Sequence, residues 1–151
     1  MKQYFDDFAV GDRFVSIGRT ITEADIVAFA GLSGDFNPLH TDEEWVRANT
    51  PFSGRIAHGL LIHSISTGLK TPELDSMHVI AFLETQRRML SPTYPGETIS
   101  MVQEVTERRR SNSRPGCGIL TFEVTMSKSD GTVVQRGIDR LLVGGKPEAD
   151  R

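Results

Sequence analysis

The sequence predicts an α+β domain in which one long apolar helix is enclosed by an antiparallel sheet, and three observations carry that expectation. Residues 55–69, RIAHGLLIHSISTGL, put Ile56, Ala57, Leu60, Leu61, Ile62, Ile65 and Leu69 on nearly every side of a helix; a helix patterned this way is surrounded by protein. From His78 onward the periodicity changes to that of strands, most plainly in LTFEVTMS, where Leu120, Phe122, Val124 and Met126 alternate with Thr121, Glu123, Thr125 and Ser127. The length of 151 residues, with 38% hydrophobic and 25% charged residues, suits one domain with a continuous core. A single domain over residues 1–151 is therefore expected.

The elements follow in order. Residues 14–20 predict an N-terminal strand. Thr22 then makes a good N-cap with Asp25 three residues on, and Ile21 and Ile26 stand where a hydrophobic staple requires apolar residues. Ile26, Phe29 and Ala30 share one face of this first helix, and Gly31 and Gly34 loosen its far end. A second short helix is expected from Thr41, with Glu44 completing a capping box and Trp45 and Val46 as its buried side. After the long helix come strands over 79–89, 97–107 and the alternating segment around 120–127. Asp130-Gly131 turns that segment into a last strand over 133–143. Such a sheet leaves edges, and a dimer that joins them would hide them.

Several function classes are excluded by composition. A net charge of -3 offers no electrostatic footprint for nucleic acid or an anionic membrane. Cys117 is the sole cysteine, so there is no internal disulfide and no multi-cysteine metal site, which fits a reducing compartment. Asp6 and Asp7 fall where a secretory signal would be apolar, and no apolar run approaches the roughly 20 residues of a membrane span. A cytoplasmic protein is expected.

The stretch SGDFNPLH, residues 33–40, carries the chemistry. Asp35 and His40 flank a turn stiffened by Pro38, with Asn37 able to bond its own backbone. Placed just before the second helix, His40 would feel a dipole that disfavours the imidazolium and a carboxylate that favours it, leaving an imidazole able to hold or give a proton near neutral pH. Turn chemistry alone would also account for Asp35, Asn37 and Pro38.

The wider context favours chemistry. SGDFNPLHTDEEW followed by TPFSGRIAHGLL resembles the signature of the MaoC-like dehydratases, the (R)-specific enoyl-CoA hydratases, most strongly over residues 21–69; the later SPTYPGETI resembles the turn and strand that follow in that family. The Gly-Asp-x-Asn-Pro-x-His core is specific, because hot-dog thioesterases lack it. The resemblance implies a hot-dog fold, a strongly twisted antiparallel sheet wrapped around a long central helix. It implies reversible syn addition of water to a trans-2-enoyl thioester, with no cofactor beyond the coenzyme A of the substrate and no metal, in a homodimer or an oligomer of dimers. By the same resemblance Asp35 and His40 are the catalytic pair, Asn37 orients the loop, and the Gly59 N–H receives the thioester carbonyl. Ser64 and Thr67 stand where the family carries small hydroxyl residues lining the site. A branched or dicarboxylic acyl-CoA, an acyl-carrier-protein thioester, or a non-catalytic thioester-binding subunit are the alternatives.

Hydration needs these parts. Negative charge develops on the thioester oxygen as water adds to the β-carbon, and a glycine near a helix start offers a free donor and close approach. Asp35 could take the proton of the water while His40 holds the water and supplies the α-proton, or the two could exchange roles. Other features carry less. His58 and His63 lie about 140° apart around a helix axis, unsuited to sharing a metal; His58 is expected to position the Gly59 turn and His63 to pack. Arg108, Arg109, Arg110 and Arg114 read as a solvated surface run, with coenzyme A phosphates as the functional alternative. Gly116-Cys117-Gly118 lacks the setting of a dinucleotide loop.

Overall fold

A computed structural model describes residues 3–147. Six strands form one antiparallel sheet: β1 (Arg13–Val15), β2 (Arg19–Thr20), β3 (Val79–Met89), β4 (Thr98–Arg110), β5 (Cys117–Lys128) and β6 (Val133–Gly144). Their order is β1-β4-β5-β6-β3, with β2 also pairing β4. Both edges of β4 are taken, by β1 and β2 on one side and β5 on the other, so β3 pairs with β6 and forms the far edge. The β5–β6 hairpin turns at Asp130-Gly131 as expected: Gly131 has φ 87° and its N–H donates to the Lys128 carbonyl at 2.9 Å. The alternation seen in the sequence is the burial pattern, since Leu120, Phe122, Val124 and Met126 are all fully enclosed.

The strand expected over 14–20 is split in two. Ser16 both donates its N–H to the Met101 carbonyl and accepts the Met101 N–H on its hydroxyl, and that local exchange interrupts the ladder before β2. The first helix, α1 (Glu23–Ser33), has the expected Thr22–Asp25 capping box, with Ile21, Ile26 and Ala30 buried. The second begins differently. Pro38 opens a four-residue turn, α2 (Pro38–Thr41), so Thr41 lies at its end and donates its hydroxyl to the Phe36 and Asn37 carbonyls. The cap of the following helix, α3 (Glu43–Asn49), is Asp42, whose carboxylate accepts the Trp45 N–H at 2.9 Å. Val46 is buried as expected, whereas Trp45 stays 40% exposed.

The central helix, α4 (Gly59–Ser66), is shorter than residues 55–69. The segment before it is held out of helical form by its own donors: Ile56 N–H binds the Leu39 carbonyl and Ala57 N–H the Thr93 carbonyl. Arg55 is clamped too, its guanidinium meeting both carboxylate oxygens of Glu23 at 2.6 and 3.0 Å and one of Glu43 at 3.2 Å. Leu61, Ile62 and Ile65 join the sheet residues Ile99, Phe122 and Val124 in one core cluster. Leu60, on the other side of the helix, is 61% exposed, as are large parts of Phe82 and Leu83 on edge strand β3. A last short turn, α5 (Pro72–Asp75), buries Leu74. No helix among the described residues is long and apolar enough to cross a membrane.

Candidate active site

The loop after α1 is built almost wholly from local bonds. Gly34 ends the helix in the left-handed region (φ 76°), which a side chain would strain, and so turns the chain into Asp35. Asp35 Oδ1 accepts the Asn37 N–H at 3.2 Å, and Asn37 Oδ1 accepts the Leu39 N–H at 2.9 Å. These two Asx turns and the Pro38 ring leave the segment one shape.

That shape brings Asp35 and His40 together. His40 is buried inside α2, and its Nδ1 lies 2.7 Å from the Ile56 carbonyl. A carbonyl only accepts, so Nδ1 carries the proton and Nε2 keeps its lone pair. Nε2 stands 3.9 Å from Asp35 Oδ2, and the Asp35 side chain is half exposed. Burial holds the His40 pKa below its ordinary 6.5 and the neighbouring His58 adds to the shift, against the opposing pull of the Ile56 carbonyl and Asp35. The ring is thus neutral near pH 7, with a free base nitrogen facing the carboxylate. Burial is the largest of these causes.

His58 backs this pair. Only 2% exposed, it donates from Nε2 to the Asp35 carbonyl at 3.0 Å and stacks on His40 with centroids 3.7 Å apart and planes 25° from parallel, with Phe29 tilted behind it at 5.0 Å. It is also the N-cap residue of α4 and makes no side-chain cap bond there. It therefore braces the loop and sits beside Gly59, outside the cavity wall.

Gly59, the first residue of α4, lies in the wall of a cavity of about 450 Å³ together with His40. The rest of that wall is mostly apolar, including Leu39, Phe52, Ile56, Ile62, Met89 and Val134. A Cβ at Gly59 would stand 3.1–3.2 Å from the Met89 side chain, so the glycine is what lets the helix start and β3 close up. The N–H groups of a first helical turn have no intrahelical partners. With no side-chain cap on this turn, the N–H of Gly59, the residue of it that lines the cavity, is not taken by a cap.

The other expected positions lie elsewhere. Ser64 and Thr67 are exposed, donate their hydroxyls to the Leu60 and Ser64 carbonyls at 2.7 Å each, and are not part of the cavity wall. His63 is half-buried and meets the Thr85 hydroxyl at 2.9 Å, next to the buried Arg87–Asp139 pair. Arg108 and Arg110 lie over the Phe5 ring at the end of β4 and are not part of the cavity wall, which agrees with a surface run. Two contributors were not foreseen. Gln135, on β6, donates from Nε2 to the Gly59 carbonyl at 2.7 Å. Arg55 ties α1 and α3 to the segment that leads into Gly59. The only advance signal for Gln135 was an amide among the apolar residues of a strand, and its partner is 76 positions away.

Asp35, His40 and His58 each offer a ligand atom within 4.8 Å of the others. The two rings are nearly parallel, so their in-plane lone pairs run side by side instead of converging. That is a poor match to a metal shell, which needs lone pairs directed at one point.

Residues 7–128 match the family described as MaoC like domain. An (R)-specific enoyl-CoA hydratase of Rhodospirillum rubrum is 31% identical over 140 residues, 93% of this chain and 91% of that relative. The crystal structure of a MaoC-like dehydratase from the same organism is similar with a TM-score of 0.82 at 31% identity, covering 97% of this chain and 99% of that one. A Mycobacterium tuberculosis protein with a double hot-dog fold reaches a TM-score of 0.85 over 99% of this chain and 46% of its own, and at 22% identity it bears on the fold alone. The α+β sheet-and-helix arrangement is the hot-dog fold.

Proposed function

The chain belongs to the MaoC-like dehydratases, a family of hydro-lyases, and from that premise we propose that it is an (R)-specific enoyl-CoA hydratase, adding water reversibly to a trans-2-enoyl thioester. The observation that carries this is a convergence: a neutral imidazole with its free nitrogen 3.9 Å from a carboxylate, and an uncapped helix start, both bordering one apolar cavity.

A water held between Asp35 and His40 gives its oxygen to the β-carbon and its proton to His40 Nε2. The π electrons of the double bond move toward the thioester oxygen, where the Gly59 N–H donates to the developing charge. The imidazolium, stabilised by the Asp35 carboxylate, then returns the proton to the α-carbon on the same face, which makes the addition syn. Of the two assignments left open by the sequence, the neutral state of His40 favours the histidine as base and Asp35 as the group that orients water and supports the cation. No metal is needed in this scheme.

The acyl group is a hydrocarbon on this reading. The cavity wall includes no Arg or Lys among the described residues, and a distal carboxylate would be buried there without a cationic partner, at a desolvation cost. The exposed apolar residues of β3 and Leu60 support a homodimer joined along that edge. A cytoplasmic location is part of the same reading and rests on the sequence, where Cys117 is the sole cysteine. The decisive experiment is loss of the enoyl absorbance with a ladder of trans-2-enoyl-CoA thioesters, including one branched and one dicarboxylic member. Turnover of the straight-chain members is expected; thioester binding without turnover would leave a non-catalytic binding subunit instead.

A further inference from the structure

Gln135 poses a problem that the proposed reaction does not solve by itself. It is 2% exposed, and its Oε1 is buried with no hydrogen-bond partner among the described residues. A buried carbonyl left unsatisfied costs about 1–3 kcal/mol, and such groups are uncommon enough in folded proteins that each calls for a reason. A leucine or methionine would fill the same space without that cost. The residue borders the cavity beside Gly59, and what its side chain offers there is one bond, from Nε2 to the Gly59 carbonyl at 2.7 Å.

The place of that bond matters. Gly59 opens α4 behind an N-cap residue, His58, that makes no side-chain cap bond. A capping side chain would steady the first turn, but by occupying the very N–H groups a thioester oxygen needs. Gln135 holds the turn from its carbonyl side instead, which leaves the amides free. Met89, its direct partner across the β3–β6 ladder, packs over the same glycine. Two adjacent strands therefore grip the helix start from one face of the sheet.

We propose that Gln135 is a positioning residue: it pins the first turn of the central helix to the sheet so that the Gly59 N–H keeps its aim at the thioester oxygen. The inference rests on the hydratase reading and deepens it. Gln135→Met, close in size and without polar atoms, removes the clamp and the orphaned carbonyl together. Its Tm should be equal to or above that of the wild type, while kcat falls about 10–100-fold with KM changed far less, the pattern of a misaimed oxyanion donor. A bound 4-dimethylaminocinnamoyl-CoA supplies the spectroscopic reading, since its absorbance moves to the red when its carbonyl is polarised. The wild type should show that shift and Gln135→Met should lose most of it. Gln135→Glu, which keeps the shape but not the donor when ionised, should behave likewise in kcat.

A Gln135→Met protein with wild-type kcat and an undiminished red shift overturns the inference alone. A variant whose Tm drops well below the wild type, or which does not fold, overturns it as well, because the side chain is then structural. Wild-type protein that neither turns over enoyl-CoA nor shifts the probe overturns the hydratase reading, and this inference with it.

Discussion

The starts of α2 and α4 have nearly the same backbone and opposite contents. Asn37 and His58, their N-cap residues, sit at φ/ψ of -52/137 and -56/133. After Asn37 comes Pro38, which has no N–H to leave unpaired, and the Asn37 side chain accepts the amide of Leu39. After His58 comes Gly59, with its N–H intact and no side-chain cap. The remaining long helix, α1, spends both members of a capping box on its first turn. At the starts of α1 and α2 the donors are satisfied or removed, whereas the start of α4 at the cavity has no side-chain cap and is steadied from behind by Gln135 and Met89. The difference marks where structure ends and chemistry begins.

The comparison can be broken most severely on the loop side. Asp35→Asn and His40→Gln should each fold normally and lower enoyl-CoA hydration by about 10²–10⁴; near-normal turnover in either would remove that residue from the reaction. Exchanging the contents of the two helix starts is the next test. Gly59→Pro imposes on α4 what α2 already has, and the extended conformation of His58 suits a following proline. It should cost about 10²–10³ in kcat through loss of the N–H. Gly59→Ala adds only the Cβ against the flexible Met89 side chain, keeps the N–H, and should lower kcat by less than about tenfold. Equal losses in the two would mean that space, not the donor, matters at this position.

A gentler effect comes from protons. Because burial holds His40 below 6.5, the base is neutral above that value, and kcat/KM should fall about tenfold per unit on the acid side of an apparent pKa below 6.5. The linkage to stability has the same sign: the unfolded chain takes up this proton first, so the contribution of His40 is complete above 6.5 and is lost as pH falls through its lowered folded value. An acid limb at or above 6.5 would contradict that. The smallest effect belongs to the capped helix: Thr22→Ala should lower stability by about 1 kcal/mol in denaturant unfolding and leave kcat where it was.

Much of this was legible before any coordinates. The Thr22–Asp25 box, the alternation through Leu120 to Met126 and the Asp130-Gly131 turn are all read from neighbours within a few positions, and all stand as expected. The cap of the helix after His40 is Asp42 and not Thr41: both are good capping residues, and only the turn opened at Pro38 decides between them. Trp45 was expected inside by hydropathy, and tertiary packing left it partly out.

By itself, then, the sequence determined the local elements, the Asx turns that shape Asp35 to His40, and the family those residues resemble, since each depends on bonds between residues close along the chain. Tertiary structure alone decided that the central helix begins at Gly59, because the donors of Ile56 and Ala57 are claimed by Leu39 and Thr93. It also decided that His58 would stack on His40 and that Gln135 would reach Gly59. Those contacts join segments tens of residues apart, and no periodicity or spacing encodes which distant carbonyl a buried amide will meet.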